Sequence, residues 1–353
     1  MSAIIRRFWQ PFKKDSRVWA SLFAIGLSLS FAVSACAPTT TSNTAVSPTA
    51  APATTSSPSA SSNPTATTVR IGYQKAATIL SSLKTKGSLE KAFAPSGVTV
   101  TWTEFSAGPP MLEALNAGSI DFGYTGEAPP IIAQATGVPV RYVAYDPWST
   151  KAEAIVVKKD SPIKTITELK GKKVGVAKGS NTHYLVISAL KSVGLKPTDI
   201  QFVFLKPADA RAAFEQGNID AWAIWDPYLA VAEAKAGGRI LVDATGLAPN
   251  RGYYLASQSF VDQSPTTVKA LLDQVNKESD WAASNPTEVA KFLAPSLGID
   301  AAVLETAEKR REYGVLPLTD EVISKQQAIA DTFKSINLIP KQVSIKEAVW
   351  SGS

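Results

Sequence analysis

Leu115-Asn116-Ala117-Gly118-Ser119-Ile120-Asp121 and Phe214-Glu215-Gln216-Gly217-Asn218-Ile219-Asp220 state one pattern twice, 99 residues apart when counted from Asp121 to Asp220. Each reads as the end of a helix, a glycine, a polar residue and an Ile-Asp pair leading into a strand. Six residues beyond each aspartate stands a second carboxylate close to a proline: Glu127 before Pro129, and Asp226 before Pro227. A second echo runs nearly in register with the first. Arg70-Ile71-Gly72-Tyr73-Gln74-Lys75 matches Lys173-Val174-Gly175-Val176-Ala177-Lys178, a short apolar strand ending in lysine in both cases. Gly-x-Ile-Asp alone is a common helix-to-strand turn. Two echoes at matching offsets imply two similar α/β lobes facing one another across a cleft.

The N-terminus reads as an export leader. Arg6, Arg7, Lys13, Lys14 and Arg17 precede an uncharged apolar run from Val18 to Ala35, and the run closes on Val33-Ser34-Ala35-Cys36. Small residues directly before a cysteine suit cleavage ahead of it, and the segment resembles a bacterial lipobox, with Cys36 as the lipidated residue. An uncleaved membrane helix is the competing reading, since the run approaches the roughly 18–20 residues needed to span a bilayer. Residues 37–68 follow without a single charged residue, rich in Thr, Ser, Ala and Pro, with too little large apolar surface to offset the entropy of ordering. They are expected to form a disordered tether.

The full chain has a net charge of +6, but the leader holds five of its basic residues and one of its acidic ones, so the remainder is close to neutral at +2. That balance gives no reason to expect a nucleic-acid partner. Cys36 is the only cysteine and His183 the only histidine, which argues against disulfides, thiol catalysis, a histidine triad or a metal cluster. No cofactor is expected. Residues 69–353 suffice for two lobes of ordinary size.

Along that stretch strands alternate with helices. Strands are expected at 69–73, 98–105, 120–124, 140–144 and 154–157, then at 173–177, 200–204, 221–224, 240–242 and 253–256. The last of these is expected to return to the first lobe. After Ser264 the chain reads as helices at 265–283, 286–294, 300–311 and 319–335. Such alternation means mostly parallel sheets, which bind ligands beyond the carboxyl ends of their strands.

At that edge each helix start offers unpaired N–H groups and the positive end of a dipole, a receptor for anions. Small or capping residues stand at the expected starts: Gly108-Pro109, Thr125-Gly126, Gly179-Ser180-Asn181 and Asp226-Pro227. Trp222 and Trp225 cannot share a face of one strand, because their spacing is odd. One is expected in the core, and Trp225 at the strand end is the better candidate for an apolar wall, with Trp222 close behind. Glu127 and Asp226 read either as an acid/base pair, as receivers of a ligand ammonium, or as helix caps.

Ala107 to Asp121, Thr125-Gly-Glu-Ala-Pro-Pro130, Lys178-Gly-Ser-Asn-Thr-His183 and the long run from Pro207 to Tyr228 occur in order. Together they closely resemble the aliphatic-sulfonate-binding proteins of bacterial ABC importers, over nearly all of residues 69–350. The resemblance implies an α/β, two-lobe periplasmic-binding-protein fold of type II with two crossovers. Lobe 1 would comprise 69–157 plus 252–353, lobe 2 158–251, and residues 1–36 the signal. It places Gln74, Lys75, Gly108, Pro109, Thr125, Gly126, Glu127, Gly179, Ser180, Asn181, Trp222, Trp225 and Asp226 along the ligand cleft. It also implies a monomeric, lipid-anchored periplasmic receptor that passes an alkanesulfonate to a membrane permease and its ATPase for sulfur supply. A receptor of the same class for taurine, nitrate or a thiamine-precursor pyrimidine is the alternative, and an enzyme on this fold a remoter one. The turn Ser180-Asn181-Thr182 departs from the serine-richer version associated with the family, which bears on ligand preference.

Overall fold

The computed structural model describes residues 67–352. The leader, Cys36 and all but the end of the expected tether lie outside the described residues. Thr67 and Thr68, expected at the end of that tether, are already engaged: Thr99 N–H donates to the Thr67 carbonyl at 2.9 Å, and Thr68 is paired with Thr99 in the first sheet.

Ten strands form two five-stranded sheets. They are β1 (Thr68–Tyr73), β2 (Thr99–Glu104), β3 (Phe122–Gly126), β4 (Val140–Tyr145), β5 (Glu153–Lys158), β6 (Lys173–Val176), β7 (Gln201–Phe204), β8 (Ala221–Trp225), β9 (Gly238–Asp243) and β10 (Gly252–Ser257). The first sheet runs β2-β1-β3-β10-β4 and the second β7-β6-β8-β5-β9. The orders superimpose strand for strand. Three strands of each sheet are mutually parallel, and the fourth is antiparallel to both neighbours: β10 between β3 and β4, and β5 between β8 and β9. That inverted strand is delivered by the chain crossing over from the other lobe. The stretch 154–157, expected in the first lobe, therefore lies in the second sheet, and the chain crosses between β4 and β5 rather than after β5. The return at β10 falls where the sequence placed it.

The repeated motif explains itself in this frame. Gly118 and Gly217 adopt φ of 68° and 74°, a conformation that costs an L side chain strain but glycine little. The aspartate that follows ties the corner to the first strand of its sheet. Asp121 N–H donates to the Arg70 carbonyl at 2.7 Å while its carboxylate accepts the Arg70 N–H at 2.9 Å. Asp220 does the same with Lys173, at 2.9 and 2.8 Å. The isoleucine of each corner packs onto the glycine of the echoing strand, Ile120 against Gly72 and Ile219 against Gly175. A Cβ on either glycine would collide with the isoleucine Cδ1.

Helices cover both faces of both sheets. Val69, Ile71, Phe122 and Tyr254 pack beneath the helices 78–86 and 265–297, while Met111, Tyr142, Tyr253 and Phe333 fill the opposite face. In the second sheet Val174, Leu185 and Leu190 occupy one face and Phe214, Trp222 and Leu229 the other. The C-terminal helices form at 265–284, 286–297, 301–308 and 320–335, close to their expected places.

Candidate ligand-binding site

The carboxyl ends of β1, β3 and β8, together with both crossovers, enclose a cavity of about 50 Å³ between the lobes. That is room for a few water-sized groups. The first lobe contributes Gln74 after β1, Gly108 at a helix start, and Thr125 and Gly126 at the end of β3. The second lobe contributes Ser180, Asn181 and Trp225. These seven were all expected from the sequence.

Their positions follow from local structure. Gln74 is buried and donates from Nε2 to the Tyr124 carbonyl at 3.0 Å, which fixes its amide at the end of the sheet. Ser180 caps the helix Asn181–Ser192, its hydroxyl accepting from His183 N–H at 3.4 Å and donating to the Ala177 carbonyl at 2.7 Å. Asn181 is held within its own lobe: its Nδ2 donates to Asn250 Oδ1 at 3.0 Å and to Glu153 Oε2 at 3.3 Å. Its carboxamide lies so close over Gly126 that a Cβ there would occupy the same space. Ser180 and Asn181 thus serve both as ordinary caps and as cavity walls.

Six expected residues do not line this cavity. Lys75 turns away and donates to the Leu297 carbonyl at 3.0 Å, capping the C-terminus of the helix 286–297. Trp222 is 1% exposed and packs on Phe214 at 5.8 Å between ring centroids, so it is the core member of its pair and Trp225 the cleft member. Pro109 and Gly179 face a neighbouring groove. Glu127 and Asp226 are wholly buried behind the cavity wall. Glu127 accepts the Arg251 N–H at 2.7 Å, and burial pushes its carboxyl up to about 7. Asp226 accepts the Ala230 N–H at 2.9 Å, the helix-cap role, and burial lifts it to about 6 against the pull of Arg310 and Arg311.

Two of the four helix starts are also poorer in donors than their position suggests. Pro109-Pro110 and Pro129-Pro130 occupy the first turns of their helices and remove N–H groups there. The cation function falls instead to residues the sequence did not flag. Arg251, on the return crossover, and Arg311, just past the helix 301–308, both line the cavity. Arg251 is 5% exposed, and its guanidinium lies over the Tyr145 and Trp148 rings at 4.8 and 5.1 Å. Arg311 donates across the cleft to the Asp226 carbonyl at 2.8 Å. Burial works against its charge, but Tyr313, Glu308, Tyr124 and Asp226 around it outweigh that and hold it fully protonated. The Nε–H of each arginine is buried with no hydrogen-bond partner among the described residues. A buried donor on a cation is costly to leave unpaired.

Asp146 completes the polar floor, accepting from the Tyr124 hydroxyl and, at 2.5 Å, from Gly252 N–H. Burial raises it to about 6. Glu153, raised by burial and then by the neighbouring Glu127, lies beneath Asn181. His183 lies outside the cavity lining, its Nδ1 accepting Gly179 N–H at 3.3 Å and its ring edge-on to Phe202 and Phe204. Burial and Lys178 lower it to about 4. No group of carboxylate, histidine or cysteine side chains suited to a metal ion occurs among the described residues, and no helix there is long and apolar enough to cross a membrane.

The NMT1/THI5-like family model matches residues 93–289. An aliphatic sulfonates-binding protein of Escherichia coli (strain K12) is 43% identical over 283 residues, 80% of this chain and 88% of that one. The chain belongs to the aliphatic-sulfonate-binding proteins. A solved member of that family, the alkanesulfonate-binding protein SsuA from Xanthomonas axonopodis pv. citri bound to MOPS, superimposes with a TM-score of 0.78 at 39% identity, covering 81% of this chain and 99% of the other. The taurine-binding periplasmic protein of Escherichia coli (strain K12) is more distant, at 31% identity over 63% of this chain and 68% of its own length. The sulfonate-binding family thus has the two-lobe periplasmic-binding-protein architecture found here.

Proposed function

We propose that this protein binds an alkanesulfonate between its lobes and presents it to an ABC importer. The carrying observation is the pair of buried Nε–H donors of Arg251 and Arg311 at one cavity. A sulfonate has one negative charge spread over three oxygens. Two guanidinium groups with Gln74, Thr125, Ser180 and Asn181 around them supply donors from several directions, and Trp225 supplies an apolar wall for the carbon attached to sulfur. The named relatives bind sulfonates, and one is described with MOPS, itself a sulfonate. Gly108 and Gly126 would let backbone approach the ligand, while Lys75, Glu127, Trp222 and Asp226 would support the walls from behind.

On this reading residues 69–152 with 252–353 move as one lobe against 153–251. Arg311 belongs to the first and its partner Asp226 to the second, so ligand capture and lobe closure share a side chain. The protein performs no reaction; its histidine stands apart from the cavity. It acts as a monomer in the periplasm, held to a membrane by lipid on Cys36, and serves sulfur acquisition.

A second reading, taurine, is favoured by one observation: Asp146 in the cavity floor could receive an ammonium. Titration calorimetry with ethanesulfonate, taurine, sulfate and nitrate separates these. Heat with ethanesulfonate supports the proposal, and silence from every sulfonate removes it. Taurine binding lost in Asp146→Asn, with ethanesulfonate retained, would favour the second reading.

A further inference from the structure

The helix Tyr228–Ala234 belongs to the second lobe but is gripped by both. Leu229 and Ala232 pack in the second lobe's core with Trp222, whereas Ala230, 2% exposed, lies in the first lobe's core with Leu304 and Ala307. The first-lobe helix Ala301–Glu308 packs against it, and alanine at the contact lets the two backbones approach closely. Ion pairs cross this seam. Just beyond the first-lobe helix, Arg310 donates from Nη2 to Glu233 Oε2 at 2.5 Å and holds Nη1 3.6 Å from Asp226 Oδ2. Lys235, just past one helix, pairs with Asp300, just before the other, at 2.7 Å. The Lys235 pair is open to water and adds little. Arg310 is largely buried and Asp226 wholly so, and their attraction is screened far less. Arg310 Nη1 and Asp226 Oδ2 are each buried with no hydrogen-bond partner among the described residues, so a slight further approach would complete a bond for both. Neither Arg310 nor Glu233 lines the cavity between the lobes. Arg311, the next residue, does, and it reaches the Asp226 carbonyl across the same seam.

We propose that Arg310 is a positioning residue: by clasping Glu233 and Asp226 it holds the lobes together, fixes Arg311 in the cavity and slows the departure of a bound sulfonate that it never touches. The effect on departure rests on the sulfonate reading above, but the clasp itself does not, because every group in it belongs to this chain. Opening the lobes has to strip Ala230 from an apolar contact and expose a charged pair at once. That cost falls on release. Capture begins with the seam already parted, so the encounter rate is set by the cavity and not by Arg310.

The test compares the mature protein with Arg310→Gln, Glu233→Gln, their double variant and Arg310→Lys. Small-angle X-ray scattering without ligand reads lobe separation, stopped-flow mixing with ethanesulfonate reads capture and release, and thermal melts confirm folding. Glu233 is half-buried at the seam's edge, so Glu233→Gln breaks the pair with the least disturbance to either core. Each Gln variant should enlarge the ligand-free radius of gyration and speed ethanesulfonate release about tenfold, with capture within about twofold of the parent. The double variant should release no faster than Arg310→Gln, because one broken pair cannot be broken twice. Arg310→Lys, which keeps the charge but not the fork, should recover part of the lost residence time. Unchanged scattering in both single Gln variants overturns the clasp. So does unchanged release, a loss confined to capture, or single-variant effects that multiply in the double. If ethanesulfonate binds none of the proteins, parent included, the sulfonate reading falls, and scattering alone then decides the clasp.

Discussion

The two lobes share a scaffold down to the atom pairs that turn each corner, yet they differ at the tips of the equivalent strands β3 and β8. The first lobe ends β3 in Thr125-Gly126-Glu127, a hydroxyl and bare backbone; the second ends β8 in Trp225-Asp226-Pro227, an indole. The carboxylates six residues past each corner are both buried and both held above their usual range. The corners themselves are not equally protected. Asp121 is 7% exposed and also paired with the Arg70 guanidinium at 2.5 Å, whereas Asp220 is exposed and holds only backbone. The two lobes thus share what makes a sheet turn and differ most at the edge that lines the cavity.

The sharpest break of that comparison is at the tryptophans. Trp222→Ala should cost about 3–5 kcal/mol of stability through the cavity left in the second lobe's core. Trp225→Ala should also cost stability, but less: the side chain is 9% exposed and shares the second lobe's core with Trp222 and Leu229, yet one side faces the cavity. It should in addition lose about tenfold in sulfonate affinity, the value of one apolar wall. Urea denaturation and calorimetry read the two effects separately.

Next comes pH, which compares the buried carboxylates of the two tips. A carboxyl whose folded value lies above its unfolded one favours the protonated form. Its stabilising contribution is complete below the unfolded value and lost as pH rises through the folded one. For Glu127 that window runs from 4.5 to about 7, and for Asp226 from 3.8 to about 6. Stability of the ligand-free protein should fall by on the order of 2–3 kcal/mol per group across these windows. Glu127→Gln should flatten the upper part of the decline and Asp226→Asn the lower, as read by melting temperature against pH.

Gly72→Ala and Gly175→Ala sharpen the likeness rather than the difference. Each pushes an isoleucine off its strand, and each should cost about 1–3 kcal/mol. Similar costs in urea denaturation confirm that the echo is structural, and a severalfold disparity would sink it. The smallest effect is expected at the corners. Asp121→Ala should lose about 1–2 kcal/mol because the half-buried Arg70 N–H and guanidinium both lose their partner, and Asp220→Ala only a small part of that, since water replaces its carboxylate.

Much of this could be read from the chain. The Gly-x-Ile-Asp corners gave away the duplicated lobes because glycine, isoleucine and aspartate there each answer a geometric demand. Strand parity separated Trp222 from Trp225. What escaped is equally instructive. Val156 and its neighbours are apolar on both faces, so nothing local tells which sheet receives β5. Lys309-Arg310-Arg311-Glu312 has the composition of a solvated helix end, and only folding brings Arg311 to residues about two hundred positions away. Arg251 stands outside any motif. The glycine that opens β10 marks a break in the chain but not a cation, and a proline at a helix start is as compatible with a donor-rich turn as with a donor-poor one.

The inverted strand of each sheet also has a consequence in time. The second sheet is assembled from a continuous stretch, β5 to β9, and can close as soon as that stretch exists. The first sheet lacks its β10 until the polypeptide has been made or threaded past residue 257. Chain closure over so long a separation is slow. The amino-terminal half should therefore stay loose enough to pass through a narrow pore well after the middle has become able to fold.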